Sequence, residues 1–101
     1  MQQIIVIGGG LSGLATAYQI QQQAQVQNLA VNVKVLEKEA RVGGKAWSRH
    51  ENGYLCEWGP NGFLTNKPQT LELCQSLGIS EKLLPSNDNA RKRFVFSQGK
   101  L

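Results

Sequence analysis

The sequence predicts an α/β protein: a parallel βαβ unit with a β-hairpin and short helices added after it. Three observations carry that prediction. Residues 4–7 form a run of β-favouring apolar side chains, Ile-Ile-Val-Ile, that reads as a strand. This run enters Gly8, Gly10 and Gly13 at GxGxxG spacing, and Leu11, Leu14, Ala15 and Tyr18 then recur at helical i, i+3, i+4, i+7 positions. Residues 31–37, Val-Asn-Val-Lys-Val-Leu-Glu, alternate like a second strand.

The glycine spacing has a chemical meaning. Gly8 permits a tight turn out of the first strand, Gly10 has no Cβ to obstruct a pyrophosphate, and Gly13 lets the helix pack closely on the strand. The N–H groups of the helix's first turn have no partners within the helix and sit at the positive end of its dipole, so they suit phosphate oxygens. Gly8, Gly9, Gly10, Leu11, Ser12 and Gly13 are therefore candidate nucleotide-binding residues, with Gly9 in an unconstrained position of the motif. A glycine turn without ligand is the alternative. The order strand, motif, helix, acid is the context that separates a Rossmann-like unit from such a turn.

The acid is Glu37. It follows Gly13 by 24 positions, slightly beyond the usual spacing of about 20. The Gln-rich residues 19–28 account for the surplus by lengthening the helix or the loop after it. A carboxylate here can accept hydrogen bonds from both hydroxyls of an adenosine ribose and would repel a 2′-phosphate. The expected ligand is FAD or NAD rather than NADP; the alternative is a solvated glutamate at a strand end.

Beyond Glu37 stands Lys38-Glu39-Ala40-Arg41-Val42-Gly43-Gly44-Lys45. An arginine followed by paired glycines is not part of the minimal NAD fingerprint. It resembles the segment after the second strand in the flavoprotein group of amine oxidases, phytoene desaturases and protoporphyrinogen oxidases. Next, Tyr54-Leu55-Cys56-Glu57-Trp58-Gly59-Pro60-Asn61-Gly62-Phe63 resembles the stretch that carries backbone toward the flavin in that group. The Gly-Pro-Asn-Gly turn, the segment 73–84 and the run Asn89-Ala90-Arg91-Lys92-Arg93-Phe94 look like the bacterial protoporphyrinogen oxidase branch. The likeness covers nearly the whole chain. It implies an FAD cofactor, contacted by Lys38, Arg41, Gly43, Gly44 and Lys45 near the phosphates and by Gly59, Pro60, Asn61 and Gly62 near the ring. Lys45 departs from the group, standing where amine oxidases usually carry Arg.

The resemblance implies an FAD-dependent oxidoreductase that oxidises a small-molecule porphyrinogen to the porphyrin, as in heme biosynthesis. A flavin amine oxidase, a carotenoid desaturase or a non-catalytic nucleotide-binding module are the alternatives. The resembled enzymes are several times longer than 101 residues. The chain is therefore expected to be the N-terminal piece of a flavoenzyme, inactive alone, with residues 1–85 in the FAD-binding domain and 86–101 opening the next segment. Enzymes of this branch often attach peripherally to membranes, so such attachment of a longer polypeptide is also an expectation.

Composition excludes little but is consistent. Apolar residues make up 41% and charged residues 18%, and the mean hydropathy is −0.31. The apolar run at residues 4–7 lacks a basic flank and is too short for a signal peptide or membrane span; a cytoplasmic location is expected. The net charge of +4 is concentrated partly in Arg91-Lys92-Arg93. That run reads as a solvated strand entry before Phe94-Val95-Phe96, or else as an attraction for acidic propionates; no nucleic-acid partner is expected.

The two cysteines, Cys56 and Cys74, and the single His50 form no metal-ligand pattern. Cys74 shares a helical face with Leu71 and Leu77 and reads as core. Asn52-Gly53 suits a hairpin joining residues 45–49 to 54–58, with His50 near its tip. Pro68 suits the first turn of a helix running to Leu77 and Gly78 its C-terminal cap; Ser80 can cap a short turn that Pro85 stops.

Overall fold

The computed structural model describes residues 1–90 and 92–101. Arg91, the first member of the basic run, lies outside the described residues. The chain divides into two compact units, Met1–Phe63 and Leu64–Leu101.

The first unit contains the expected βαβ. Strand β1 (Gln2–Ile7) pairs in parallel with β2 (Val31–Leu36), in a register running from Gln2↔Val31 to Ile7↔Leu36. Parallel neighbours need a crossover, and helix α1 (Leu11–Val26) supplies it. Period-2 alternation turns Ile4, Val6, Val31, Val33 and Val35 to one face, where they are half-buried. Ile5, Ile7 and Leu36 lie on the opposite face and are exposed.

Within the stripe of helical period on α1, Leu11 is 69% exposed, whereas Leu14, Ala15 and Tyr18 are half-buried. Ala17 and Ala24 are the buried positions, with Gly13 and Ile20 half-buried on the same face. Small side chains win because the helix lies close against the strands: a Cβ on Gly13 would overlap the carbonyl oxygen of Gly8. The Gln-rich residues extend the helix rather than the loop. The helix ends in a Schellman motif: Asn28, at φ 56°, donates its N–H to the Gln25 carbonyl, and Leu29 donates to the Ala24 carbonyl.

Strands β3 (Ser48–Glu51) and β4 (Tyr54–Glu57) form an antiparallel hairpin. Asn52 and Gly53 make its turn, at φ 52° and 81°; positive φ at both positions is the requirement of a type I′ turn. The pairing begins at Ser48 rather than Lys45, and His50 lies within β3 opposite Leu55 rather than at the tip.

In the second unit, α2 (Pro68–Ser76) begins with proline in its first turn and buries Cys74. Leu71 and Leu77, expected beside it in the core, are exposed. Gly78, at φ 70°, closes the helix with the same Schellman bonds, Gly78 N–H to Gln75 and Ile79 N–H to Cys74. A 3-10 turn follows at Ser80–Lys82, in which Ser80 is the first residue and no side chain caps the turn; a second is at Asp88–Ala90. Phe94-Val95-Phe96 is not a strand: these residues are exposed and pair with no described neighbour. Alternating apolar character needs a partner edge before it becomes a ladder.

Candidate functional site

Of the sequence-predicted residues, the glycine loop at 8–13, Glu37, Arg41, Gly43 and Gly44 gather at the C-terminal ends of β1 and β2. This is the end at which open α/β sheets bind ligands. Among the described residues no hydrogen bond joins Pro60, Asn61 or Gly62 to them. β1 turns sharply at Gly8, whose φ of 98° is a conformation that favours glycine. The Gly8 N–H still continues the sheet by donating to the Leu36 carbonyl at 2.7 Å. Gly10 is the N-cap of α1, with no side-chain cap and no acidic residue in the first turn. The first-turn N–H groups thus keep the partial positive charge of the helix end uncompensated by side chains. A Cβ added to Gly10 would meet nothing within 4 Å, so open space faces this backbone, as a pyrophosphate cradle requires.

Gly9 differs from its expected unconstrained role. It is buried, and a Cβ there would lie 3.0 Å from Glu37 Oε2 and 3.1 Å from Val42 Cγ1. Its N–H donates to Glu37 Oε2 at 2.6 Å. Glu37 Oε1 accepts the N–H of Glu39 at 3.0 Å. The carboxylate therefore ties the glycine loop to the end of β2. The Glu39 N–H, followed by that of Gly9, holds the Glu37 carboxyl below its ordinary value of 4.5; desolvation opposes them, and the Lys38 N–H and charge add smaller lowering contributions. A carboxylate offers about four lone-pair sites, so two backbone bonds leave room for ribose hydroxyls.

The second glycine pair reaches the same place. Gly43 donates its N–H to the Gly9 carbonyl at 2.7 Å and bridges to Gly10. A Cβ on Gly44 would come within 3.2 Å of Gly10 Cα. Arg41 braces this turn, donating Nη2 to the Gly44 carbonyl at 2.8 Å and Nη1 to that of Val42 at 3.3 Å. Lys45 brings the hairpin's far side into the unit: a Cβ on Gly59 would overlap the Lys45 carbonyl. Leu11, Ser12, Pro60, Asn61 and Gly62 are exposed, and no Cβ contact lies within 4 Å of Gly62. Lys38 is solvated, 4.0 Å from Glu39.

Two residues absent from the sequence-based site stand beside it. Trp47 and Trp58 stack with centroids 5.4 Å apart and planes at 24°, and the Arg41 guanidinium lies 4.5 Å from the Trp47 ring centroid. The signal was available: an Asn52-Gly53 turn with Glu51↔Tyr54 beside it places 47 opposite 58, one pair beyond Ser48↔Glu57. Among the described residues no His/Cys/Asp/Glu group is arranged to hold a metal ion, and both cysteines are free.

Comparison with known proteins extends this geometry. The family model described as flavin containing amine oxidoreductase matches residues 11–101. The chain is 37% identical over 84 residues to coproporphyrinogen III oxidase of Bacillus subtilis (strain 168), covering 83% of this chain and 18% of that protein. It is 37% identical over 97 residues to protoporphyrinogen oxidase 1, chloroplastic, of Arabidopsis thaliana, covering 96% of this chain and 17% of the relative. A coproporphyrinogen III oxidase of Propionibacterium freudenreichii subsp. freudenreichii is 33% identical over 98 residues, covering 97% of this chain and 17% of the relative. The chain thus spans less than a fifth of the length of these relatives. It belongs to the flavin-containing amine oxidoreductase family, and FAD is the cofactor that this membership implies.

Proposed function

We propose that this chain is the FAD-holding portion of a larger oxidoreductase that oxidises a porphyrinogen to the porphyrin. The observation that carries the reading is the convergence of Gly10, Gly43 and Glu37 on one open-faced turn at the start of α1. Its relatives are named for porphyrinogen oxidation, which supplies the substrate class.

Each candidate residue has a task in this reading. The Gly10 backbone lets the pyrophosphate approach, and the N–H groups of Leu11, Ser12 and Gly13 face its oxygens at the positive helix end. Gly8 and Gly9 shape the loop, and Glu37 accepts the ribose hydroxyls through the lone pairs that Gly9 and Glu39 leave. Arg41, Lys38 and Lys45 place positive charge near the phosphates, while Gly43 and Gly44 bring their turn against the loop. Gly59, Pro60, Asn61 and Gly62 carry backbone toward the ring. The flavin, when bound, accepts electrons in two-electron steps; the protein binds and orients it.

Residues 1–85 are assigned to the flavin domain and 86–101 to the start of the next segment. The same reading carries a cytoplasmic location, with any peripheral membrane contact made by other parts of the polypeptide. Among the described residues no helix is long and apolar enough to cross a membrane. Lys92 and Arg93 remain solvated in this reading, with no nucleic-acid partner.

Orientation of a substrate and exclusion of water from it need walls on both sides of the flavin. The expected outcome is that the full-length protein retains FAD and converts a porphyrinogen to fluorescent porphyrin, while residues 1–101 alone bind FAD weakly and give only the spontaneous rate. Porphyrin fluorescence with both proteins checks this; turnover by the 101 residues at the full-length rate would overturn the division of labour.

A further inference from the structure

We propose that Trp47 is a positioning residue for the nucleotide loop: stacked on Trp58 across the hairpin, it orients Arg41, and Arg41 in turn sets the Gly43–Gly44 turn against Gly9 and Gly10. The proposal rests on the FAD reading above and adds to it a residue pair outside the glycine motifs.

The contacts form one continuous chain. Register from the Asn52-Gly53 turn sets Trp47 opposite Trp58, and the Trp58 N–H donates to the Trp47 carbonyl at 2.8 Å. Stacking at 5.4 Å fixes the Trp47 ring. The ring presents its π-system to Arg41 at 4.5 Å, within the range for cation–π attraction. A long arginine that is otherwise solvated has many rotamers, and this contact selects the one whose fork reaches the carbonyls of Val42 and Gly44. Those carbonyls flank Gly43, whose own N–H holds the Gly9 carbonyl. A loop already held in its binding shape loses less freedom when ligand arrives. The hairpin thereby couples to nucleotide affinity without touching the nucleotide.

The test is a double-mutant cycle in the full-length protein, with FAD affinity read from quenching of flavin fluorescence. Trp47→Leu should weaken FAD binding roughly two- to fivefold, the range of an exposed cation–π contact. Trp47→Phe, which keeps a ring, should recover most of that loss. In an Arg41→Met background, Trp47→Leu should change affinity less than about 1.5-fold, because the coupling partner is gone. Urea midpoints of the unliganded variants provide the control that a purely structural tryptophan would fail: its removal would lower stability and affinity equally in both backgrounds. Equal losses with and without Arg41, or no loss in Trp47→Leu, would overturn the proposal while the wild-type affinity leaves the FAD reading intact. A wild-type protein with no affinity for FAD would overturn both. If Trp47→Leu does not fold, Trp58→Leu, which removes the stacking partner, carries the same cycle with the same criterion.

Discussion

The two units differ in what they ask of glycine. In Met1–Phe63 the decisive glycines are places where two stretches of backbone meet: Gly13 against Gly8, Gly44 against Gly10, Gly59 against Lys45. In Leu64–Leu101 the glycines Gly78 and Gly99 meet nothing within 4 Å of a hypothetical Cβ, and their φ values of 70° and 76° are what they provide. The first unit uses glycine for close approach at Gly13, Gly44 and Gly59 as well as for turning the chain at Gly8 and Gly53, whereas the second uses it for turning alone. Close approach is the costlier feature to lose, since backbone cannot step aside as a side chain does, and it belongs to the unit that gathers the candidate site.

The sharpest way to break this contrast is Gly13→Ala. A methyl that overlaps the Gly8 carbonyl must push α1 off β1, and overpacking of this kind costs about 3 kcal/mol of folding stability. Urea denaturation should show a lower midpoint with an unchanged slope. A Gly13→Ala midpoint no lower than that of Gly78→Ala would mean that the helix moves freely on the strands, and the distinction between the units would fall.

Glu37→Ala comes next and acts on binding. Removing a charged hydrogen-bond acceptor should weaken FAD binding, measured by titration of the full-length protein; an unchanged dissociation constant would remove the ribose assignment. Glu37 also predicts a pH dependence whose sign is definite. Its folded-state pKa is depressed below 4.5 by the N–H groups of Glu39 and Gly9. Its contribution to stability is therefore fully present above 4.5 and is lost as pH falls through the lower folded-state value. Wild-type stability should lose an increment over that interval that Glu37→Gln, neutral throughout, does not. Coincident acid-unfolding curves for the two proteins would show that the loop is held by something other than this carboxylate.

Which parts were legible in the sequence follows from the same contrast. Features decided by local chemistry could be read directly: the strand–Gly8–helix turn, the acid at Glu37, the type I′ turn at Asn52-Gly53 and the proline start and glycine end of α2. Features decided by what packs against what could not. The stripe Leu11, Leu14, Ala15, Tyr18 has a sound helical period and all of it but Leu11 is half-buried, yet the most buried positions are Ala17 and Ala24, on the face of the close approach at Gly13. Phe94-Val95-Phe96 has strand-like residues but pairs with no described edge. The Gly9 position of the motif is unconstrained by spacing alone, and only the folded return of Glu37 reveals that it is confined. Trp47 and Trp58 are intermediate: counting outward from the hairpin turn pairs them, whereas Arg41 joins them only in three dimensions.

Gly10 and Gly9 sharpen the comparison within the first unit. Gly10 has ordinary φ of −73° and open space beside it, so Gly10→Ala should leave the urea midpoint unchanged and reduce FAD affinity by roughly 1–2 kcal/mol, through overlap with the bound pyrophosphate. Gly9→Ala should act differently, lowering stability by about 0.5–1 kcal/mol as Glu37 and Val42 give by a few tenths of an ångström, with a smaller loss of affinity. Equal loss of flavin in both, at equal folded yield, would mean that the pyrophosphate does not pass Gly10.

The smallest expected effect compares the two helix ends, which make the same hydrogen bonds with different residues. Asn28 closes α1 at φ 56° and Gly78 closes α2 at φ 70°, each through paired bonds to carbonyls in the last turn. Asparagine tolerates the left-handed region through its short polar side chain, whereas alanine meets the full clash of Cβ with the following carbonyl. Gly78→Ala should therefore cost about 1 kcal/mol, and Gly78→Asn only a few tenths. No steric contact intervenes, because the space beside Gly78 is open; the whole difference lies in backbone conformation. Thermal midpoints of the two variants measure it. If Gly78→Asn destabilises as much as Gly78→Ala, the side chain at this cap is meeting an obstacle, and the second unit's glycines would have to be counted with those of the first.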